Sequence, residues 1–528
     1  MQVQVRINEE GTLRNQRYAF TDKFTLISEL MQNARRAGAD RIEIDYDEKS
    51  KMLCVIDDGC GIADFQKLLT FNESGWDPAT CVEERPFGIG FSKCLYSASR
   101  CIVESRGQKI DFSTDEALGR HPIDVQQVGY RFGTRVELHD VILPGLTDRL
   151  KTMCEGFTIP VWFNGQELQR PYASDSMPFV TTAIGQVHLT GTHNGKHASN
   201  MLVFLQGFCV MKPFYYQADS INVVHLDSKE FVARLPDRDK LIDENDQRKR
   251  IDACLKALWR EILLSAKAIK TPESFVATYY EAMRSWWQLD LLNDVPILPV
   301  ALCKRIVGYP IRELYENINY VEAVNVALNR REIEDGSVKL VDLDYVNSSN
   351  AAHWMYAKAQ GYIVFSSISL DGNHWVQPYV HQLEEEPVVV TAIGERCRAE
   401  LEGRFIWPQV VLCDAVAITL GDQQVVISED GVYHDDVLFI PSNESSGEPV
   451  RQVSNFIDDA DQFQESDLDA DRDALADLIL RLRSVDPQAT LESLLRELKL
   501  ERYPLLHGKT FQLSVGHSRD DHSVELVS

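Results

Sequence analysis

The chain has 528 residues, 44% of them apolar and 25% charged, the make-up expected of an ordinary globular protein and too long for one hydrophobic core. Its net charge of −26 works against a polyanionic partner unless one face gathers the lysines and arginines. No apolar run nears the ~18 residues of a membrane span. The opening "MQVQVRINEEGTLRNQ" lacks the layout of a secretory leader, and the eleven cysteines form no CxxC pair, so a reduced, cytoplasmic chain with no membrane partner is expected.

"MQVQVRI" alternates like a short strand. In "TDKFTLISELMQNARRA" (21–37), apolar residues recur at Phe24, Ile27, Leu30, Met31, Ala34 and Ala37, which predicts a helix with Thr21 or Asp22 as N-cap. Two strands follow, "RIEIDY" and "MLCVI", and a helix is expected from about Ile62. The stretch 69–86 has little periodicity and reads as a mobile loop. "GFSKCLYSAS" predicts a helix, and "RCIVESR", "VGYRF" and "TRVELHDV" predict strands. "IPVWFNGQEL" reads as a hairpin on Asn164–Gly165, and "GQVHLTGTHNGKHASNMLVFLQG" as a second on Asn194–Gly195. "DENDQRKRIDACLKALWREILLSAKAI" is a long amphipathic helix, 271–335 reads as mostly helical, and 336–440 as strand-rich. "PSNESSGEP" (441–449) is linker-like, and the acidic run after it leads into two helices and a strand-like end. The expected domains are therefore 1–145, 146–270, 271–440 and 441–528.

Glu29 and Asn33 stand four residues apart, on one face of the first long helix that also carries apolar residues. The pair is either a polar edge of the core or a water-activating base beside a hard oxygen ligand suited to Mg²⁺. "VIDDGCGI" (55–62) puts Asp57 at a strand end, with Gly59 and Gly61 loosening the backbone after it. That corner is either an acidic helix cap or a carboxylate placed for a purine amine. Gly88-Ile89-Gly90 opens a helix, where exposed amides suit phosphate, and Thr134 begins a strand in "FGTRVEL". His193 and His197 read as solvent-facing, and the aromatic run "FVATYYEAMRSWWQLDLL" as packing. "DLDADRDALADL" begins like a calcium loop but has Arg472 and Leu478 at the wrong places, so it reads as acidic linker.

In this order, "ELMQNA", "DDGCG", "FGIGF" and the "GT" of "FGTRVEL" resemble the four motifs of the GHKL (Bergerat-fold) ATPase superfamily, which includes Hsp90, MutL, type II topoisomerases and histidine kinases. The resemblance covers residues 20–140. Residues 37–62 are laid out like MutL, whereas "FGIGFSKCLYSASRCIVESR" is more similar to Hsp90. It implies an α+β sandwich, helices on one face of a mixed, mainly antiparallel sheet, followed by an S5-like transducer domain and further α+β regions. It implies ATP and Mg²⁺, with Glu29 activating water, Asn33 holding the metal and Asp57 holding adenine. Gly59, Gly61, Ile62, Gly88, Ile89, Gly90, Phe91 and Thr134 would line the nucleotide. Asp58 would be solvated and 69–86 would be the lid. By similarity to the Hsp90-type transducer, Arg238 would reach the terminal phosphate, with Lys240 in reserve. Arg36 departs from the pattern, which has an aspartate there. A histidine kinase is not expected, because the first motif begins at residue 29. The implied activity is slow ATP hydrolysis, with lid closure and ATP-dependent homodimerisation acting on a protein partner. A MutL-like nucleic-acid clamp and a non-hydrolysing scaffold remain the alternatives.

Overall fold

The polar turn after Asp47 closes an antiparallel hairpin of β1 (Ile42–Asp47) and β2 (Met52–Asp57), with Ile42 opposite Asp57. The computed structural model describes residues 3–4, 8–16, 18, 22–73, 75–84, 90–217, 220–234, 239–312, 319–453, 465–518 and 521–528. Within it the chain divides into two units, 1–288 and 289–528. The expected strand over the first seven residues lies mostly outside the described residues.

In the first unit, β1 and β2 join β3 (Arg100–Ser105), β4 (Gln108–Ser113), β5 (Gln126–Gln127), β6 (Thr134–His139), β7 (Val161–Phe163) and β8 (Gln166–Glu167). Their order is β5-β4-β3-β6-β2-β1-β7-β8, and every pairing is antiparallel except β1 with β7. Alternation decides which face is covered. Ile42, Ile44, Leu53, Val55, Cys101, Val103, Val136 and Leu138 point into one core. Glu104, Lys109, Arg135 and Glu137 pair with one another across the other face. After the short α1 (Glu9–Gln16), helix α2 (Thr25–Arg36) lays Leu26, Ile27, Leu30, Met31 and Ala34 into that core. This is the α+β sandwich expected. The sheet runs past the boundary expected at residue 145, because Val161–Phe163 fill the free edge of β1 in parallel register.

Asn164 and Gly165, both at positive φ, turn β7 into β8 as the sequence predicts. The second expected hairpin does not form. Strand β10 (Gly185–His188) pairs with β9 (Val180–Thr182) and β13 (Asn222–Leu226), and β11 (Met201–Leu205) reaches β13 from the other side in parallel. The tight turn instead lies at Gln206–Gly207, between β11 and β12 (Phe208–Met211). The long segment between β10 and β11 leaves room for β13 to enter between them.

The second unit holds further small sheets, and residues 303–306 and 321–323 are strands in the region expected to be mostly helical. The stretch 441–449 is no linker: a strand runs to Pro441, and Pro449, Val450 and Gln452 are buried. The described part of the acidic run lies in helix Glu465–Arg483, with Asp467 and Asp471 buried. Among the described residues no helix is long and apolar enough to cross a membrane.

Candidate nucleotide site

The face of α2 that enters the core also carries Glu29, which is buried. Its carboxylate lies against Gly90: a methyl group at that glycine would stand 2.1 Å from Glu29 Oε2. Gly90, at the end of the second glycine motif, thus lies beside the buried acid of this helix. Phe91 follows, buried in the same core, and opens α3 (Ser92–Ser97). One turn along α2, Asn33 is half-buried, and its Oδ1 lies 3.5 Å from Arg36 Nη1. Between these two, the amide of buried Gln32 donates to Gln206 Oε1, tying α2 to the β11–β12 turn.

The Asp57 corner closes on the end of the same helix. A methyl at Gly59 would stand 2.6 Å from Ala37 Cβ, and Cys60 N donates to Ala37 O at 2.8 Å. Asp57 Oδ1 accepts from Gly59 N at 2.9 Å. Burial, and next the neighbouring Asp58, push the Asp57 carboxyl up to about 6, against the Gly59 and Thr134 amides and Arg131, which lower it. Thr134 is buried directly opposite Asp57 on β6. Gly133, at φ +75°, brings its Cα so near that a methyl would stand 1.9 Å from Asp57 O.

Ser105 joins these parts. Fully buried, it donates to Gly133 O at 2.7 Å, lies 3.4 Å from Thr134 Oγ1, and accepts from Ile62 N at 2.8 Å. Gly61, at φ +74°, passes so close that a methyl would meet Ser105 Oγ at 2.7 Å. Sequence reasoning missed Ser105 and Gly133. Only the glycine of the "GT" pair carried a signal, since a serine ending a strand does not disclose what it faces.

Asp58 differs from expectation. It is half-buried, and its Oδ1 accepts from Asp40 N at 2.8 Å and Arg41 N at 2.9 Å, so it fastens the loop before β1 instead of facing solvent. The 69–86 stretch also differs, for Pro78–Glu84 is a helix. Asp77 supplies its start, accepting from Thr80 N at 3.1 Å, and an Asp-Pro pair is a local signal of such a start. Gly88, Ile89 and Arg238 lie outside the described residues. Lys240 is exposed, and its carbonyl accepts from Arg234 N at 2.7 Å.

The donor set suits an adenine nucleotide. A carboxylate at a strand end can accept from an exocyclic amine beside the amides it already meets, and the glycines let neighbouring groups approach the backbone closely. The Asn33 oxygen is a hard ligand of the kind Mg²⁺ takes.

Residues 22–127 match the family described as histidine kinase-, DNA gyrase B- and HSP90-like ATPase. Over 126 residues the chain is 29% identical to the DNA mismatch repair protein MutL of Aeromonas salmonicida, a match covering 22% of this chain and 20% of that protein. The chain thus spans about a fifth of that relative's length. The ATPase region of Saccharomyces cerevisiae topoisomerase II superposes at a TM-score of 0.32 and 13% identity, covering 41% of this chain and 76% of that one. The same region bound to ICRF-187 (dexrazoxane) superposes at 0.27 and 13%, covering 35% and 62%. At such scores the two superpositions carry no argument of their own.

Proposed function

Taking as premise that residues 22–127 form a GHKL-type ATPase domain, we propose that this chain binds ATP along α2 and hydrolyses it slowly to act on a protein partner. The observation that supports this reading is that the buried Glu29 carboxylate lies against Gly90, a glycine of the motif expected to receive phosphate. Asp57 holds the adenine amine, Thr134 backs the base, and Gly59, Gly61 and Ile62 shape the wall beside it. Gly88, Ile89, Gly90 and Phe91 present backbone amides to phosphate. Glu29 orients and deprotonates the attacking water. Magnesium, when bound, would be held by Asn33 and would offset phosphate charge. Arg238, by resemblance, supplies a basic group from the 146–270 region. The 69–86 stretch closes over the nucleotide, and two copies pair while it is bound.

The net charge of −26 favours a protein partner over nucleic acid. The similarity to MutL favours a second reading, a clamp on nucleic acid through a local basic groove. Titration calorimetry with ATP and magnesium tests the core claim: saturable binding is expected, and its absence would overturn it. Pull-down by duplex DNA of the ATP-loaded Glu29→Ala protein would favour the clamp.

A further inference from the structure

Asp57, Thr134 and Ser105 stand in one row across three neighbouring strands. Thr134 on β6 lies opposite Asp57 on β2 and opposite Ser105 on β3. Two residues further in, Val55, Val136 and Val103 form the matching row, buried in the core that α2 covers. Residues two apart on a strand share a face, so the register puts all three polar side chains on the α2 side of the sheet. They are the polar end of an apolar ladder. The reading above uses Asp57 and Thr134, and the inference drawn here about the third member rests on that reading.

Ser105 is fully buried, and its hydroxyl carries one proton and two lone pairs. The proton goes to Gly133 O at 2.7 Å, and one lone pair receives Ile62 N at 2.8 Å. A single hydroxyl thus ties the backbone before Thr134 to the backbone that follows the Asp57 corner. The next residue continues the clasp: Arg106 Nε donates to Cys60 O at 2.7 Å, and Arg106 N to Arg131 O at 3.2 Å. These four hydrogen bonds hold 60–62 against 131–133, around Asp57. None of the four reaches Gly90 or Glu29, which stands eight residues before Ala37, about 12 Å along the axis of α2. The plain reading is a satisfied polar group at a strand end. The strands do not need it to close, since β3 and β6 are paired through their backbones from Arg100 to Ser105. What the hydroxyl adds is the placement of two loop segments on either side of the acid.

We propose that Ser105 is a positioning residue for the base: it holds the Gly61–Ile62 and Gly133–Thr134 backbone around Asp57, and so sets affinity for the adenine end of the nucleotide without acting on its phosphates. The test is calorimetric titration of the full chain, in magnesium, with ATP and with inorganic tripolyphosphate, for wild type, Ser105→Ala and Ser105→Cys. Ser105→Ala should weaken ATP on the order of 10- to 100-fold, because Gly133 O and Ile62 N both lose their shared partner. Tripolyphosphate should bind within about twofold of wild type, since its contacts lie elsewhere. Ser105→Cys, whose sulfur fills the same place and bonds weakly, should fall between wild type and Ser105→Ala for ATP. Equal losses on the two ligands would mean a general loosening and would overturn the proposal. So would unchanged ATP affinity in the folded variants, which would leave Ser105 a fastening of the strand end. Wild type that bound no ATP would bring down the site reading itself, an outcome visible before any variant is made. Melting temperatures taken in parallel show which variants are folded, and Ser105→Cys carries the comparison if Ser105→Ala is not.

Discussion

Asp57 in the first unit and Asp471 in the second are both withdrawn from water, and each is met by backbone amides of its own chain. Asp471 accepts from Arg404 N, and from Phe405 N at 3.0 Å, while Asp467 one turn earlier pairs with Arg404 Nη1 at 2.6 Å. Its acceptor capacity is used by its own chain, and it fastens a helix to a loop. Beyond its burial, Asp57 is lowered by the Gly59 and Thr134 amides and by Arg131, and raised by Asp58 beside it. Burial raises both carboxyls, and what separates them is position: Asp471 lies within a helix, Asp57 at a strand end followed by glycines. A buried acid within a helix fastens that helix to a loop, and one at a strand end followed by glycines is also placed to meet a ligand.

The sharpest division between the two roles comes from the acid of the proposed chemistry. Glu29→Ala should lower ATP turnover by about 10²–10⁴-fold while nucleotide affinity stays within a few-fold. Steady-state phosphate release with a parallel binding titration reads both, and unchanged turnover would remove Glu29 from the chemistry. Asp471→Ala should do the reverse. It leaves the Arg404 and Phe405 amides without their carboxylate, at a cost of about 2–4 kcal/mol to the second unit. Denaturant unfolding followed by limited proteolysis should show 289–528 opening earlier, with ATP affinity unmoved.

Much of the first unit was legible because its signals are local. The helix carrying Glu29 and Asn33 shows its spacing, β1 and β2 show their alternation, and the Asp57 corner is written in consecutive residues. What was not legible depends on partners distant in sequence. Nothing in "VWF" says that it will lie beside Ile42–Ile44, or in residues 201–205 that they will pair with 222–226. Ser105 needs Gly133 and Ile62 before it means anything. In the second unit composition misled, since counting acids says nothing of Arg404 waiting to receive Asp467. The Asp77–Pro78 start was local and readable, yet low periodicity hid it.

Asp57→Asn would break or sharpen the comparison next. The carboxyl sits at about 6 in the folded chain against 3.8 for its ordinary value, so the folded state holds the proton more tightly than the unfolded one. The ionised side chain therefore costs stability as pH rises from about 4 to about 6, and the full cost applies above that. Two pH units correspond to about 3 kcal/mol, trimmed to about 2 by the partial exposure of the side chain. Asparagine can keep the Gly59 contact without the charge. The variant should melt higher than wild type at pH 8, by less at pH 5, and should no longer bind ATP. A lower melting temperature at pH 8 would place Asp57 with Asp471, as a fastening.

The smallest effect follows from the same proton. If Asp57 must be ionised to accept the adenine amine, protonation competes with the ligand. Affinity should be flat above pH 7 and should fall as pH drops through about 6, approaching tenfold per unit below it. Adenosine is the suitable probe, because it carries no phosphate to titrate in the same range. Glu29→Ala should show the same profile, since the base contact lies elsewhere on the nucleotide. A profile flat down to pH 5 would mean that the protonated acid serves as well, and the adenine contact would then have to come from the Thr134 side of the corner.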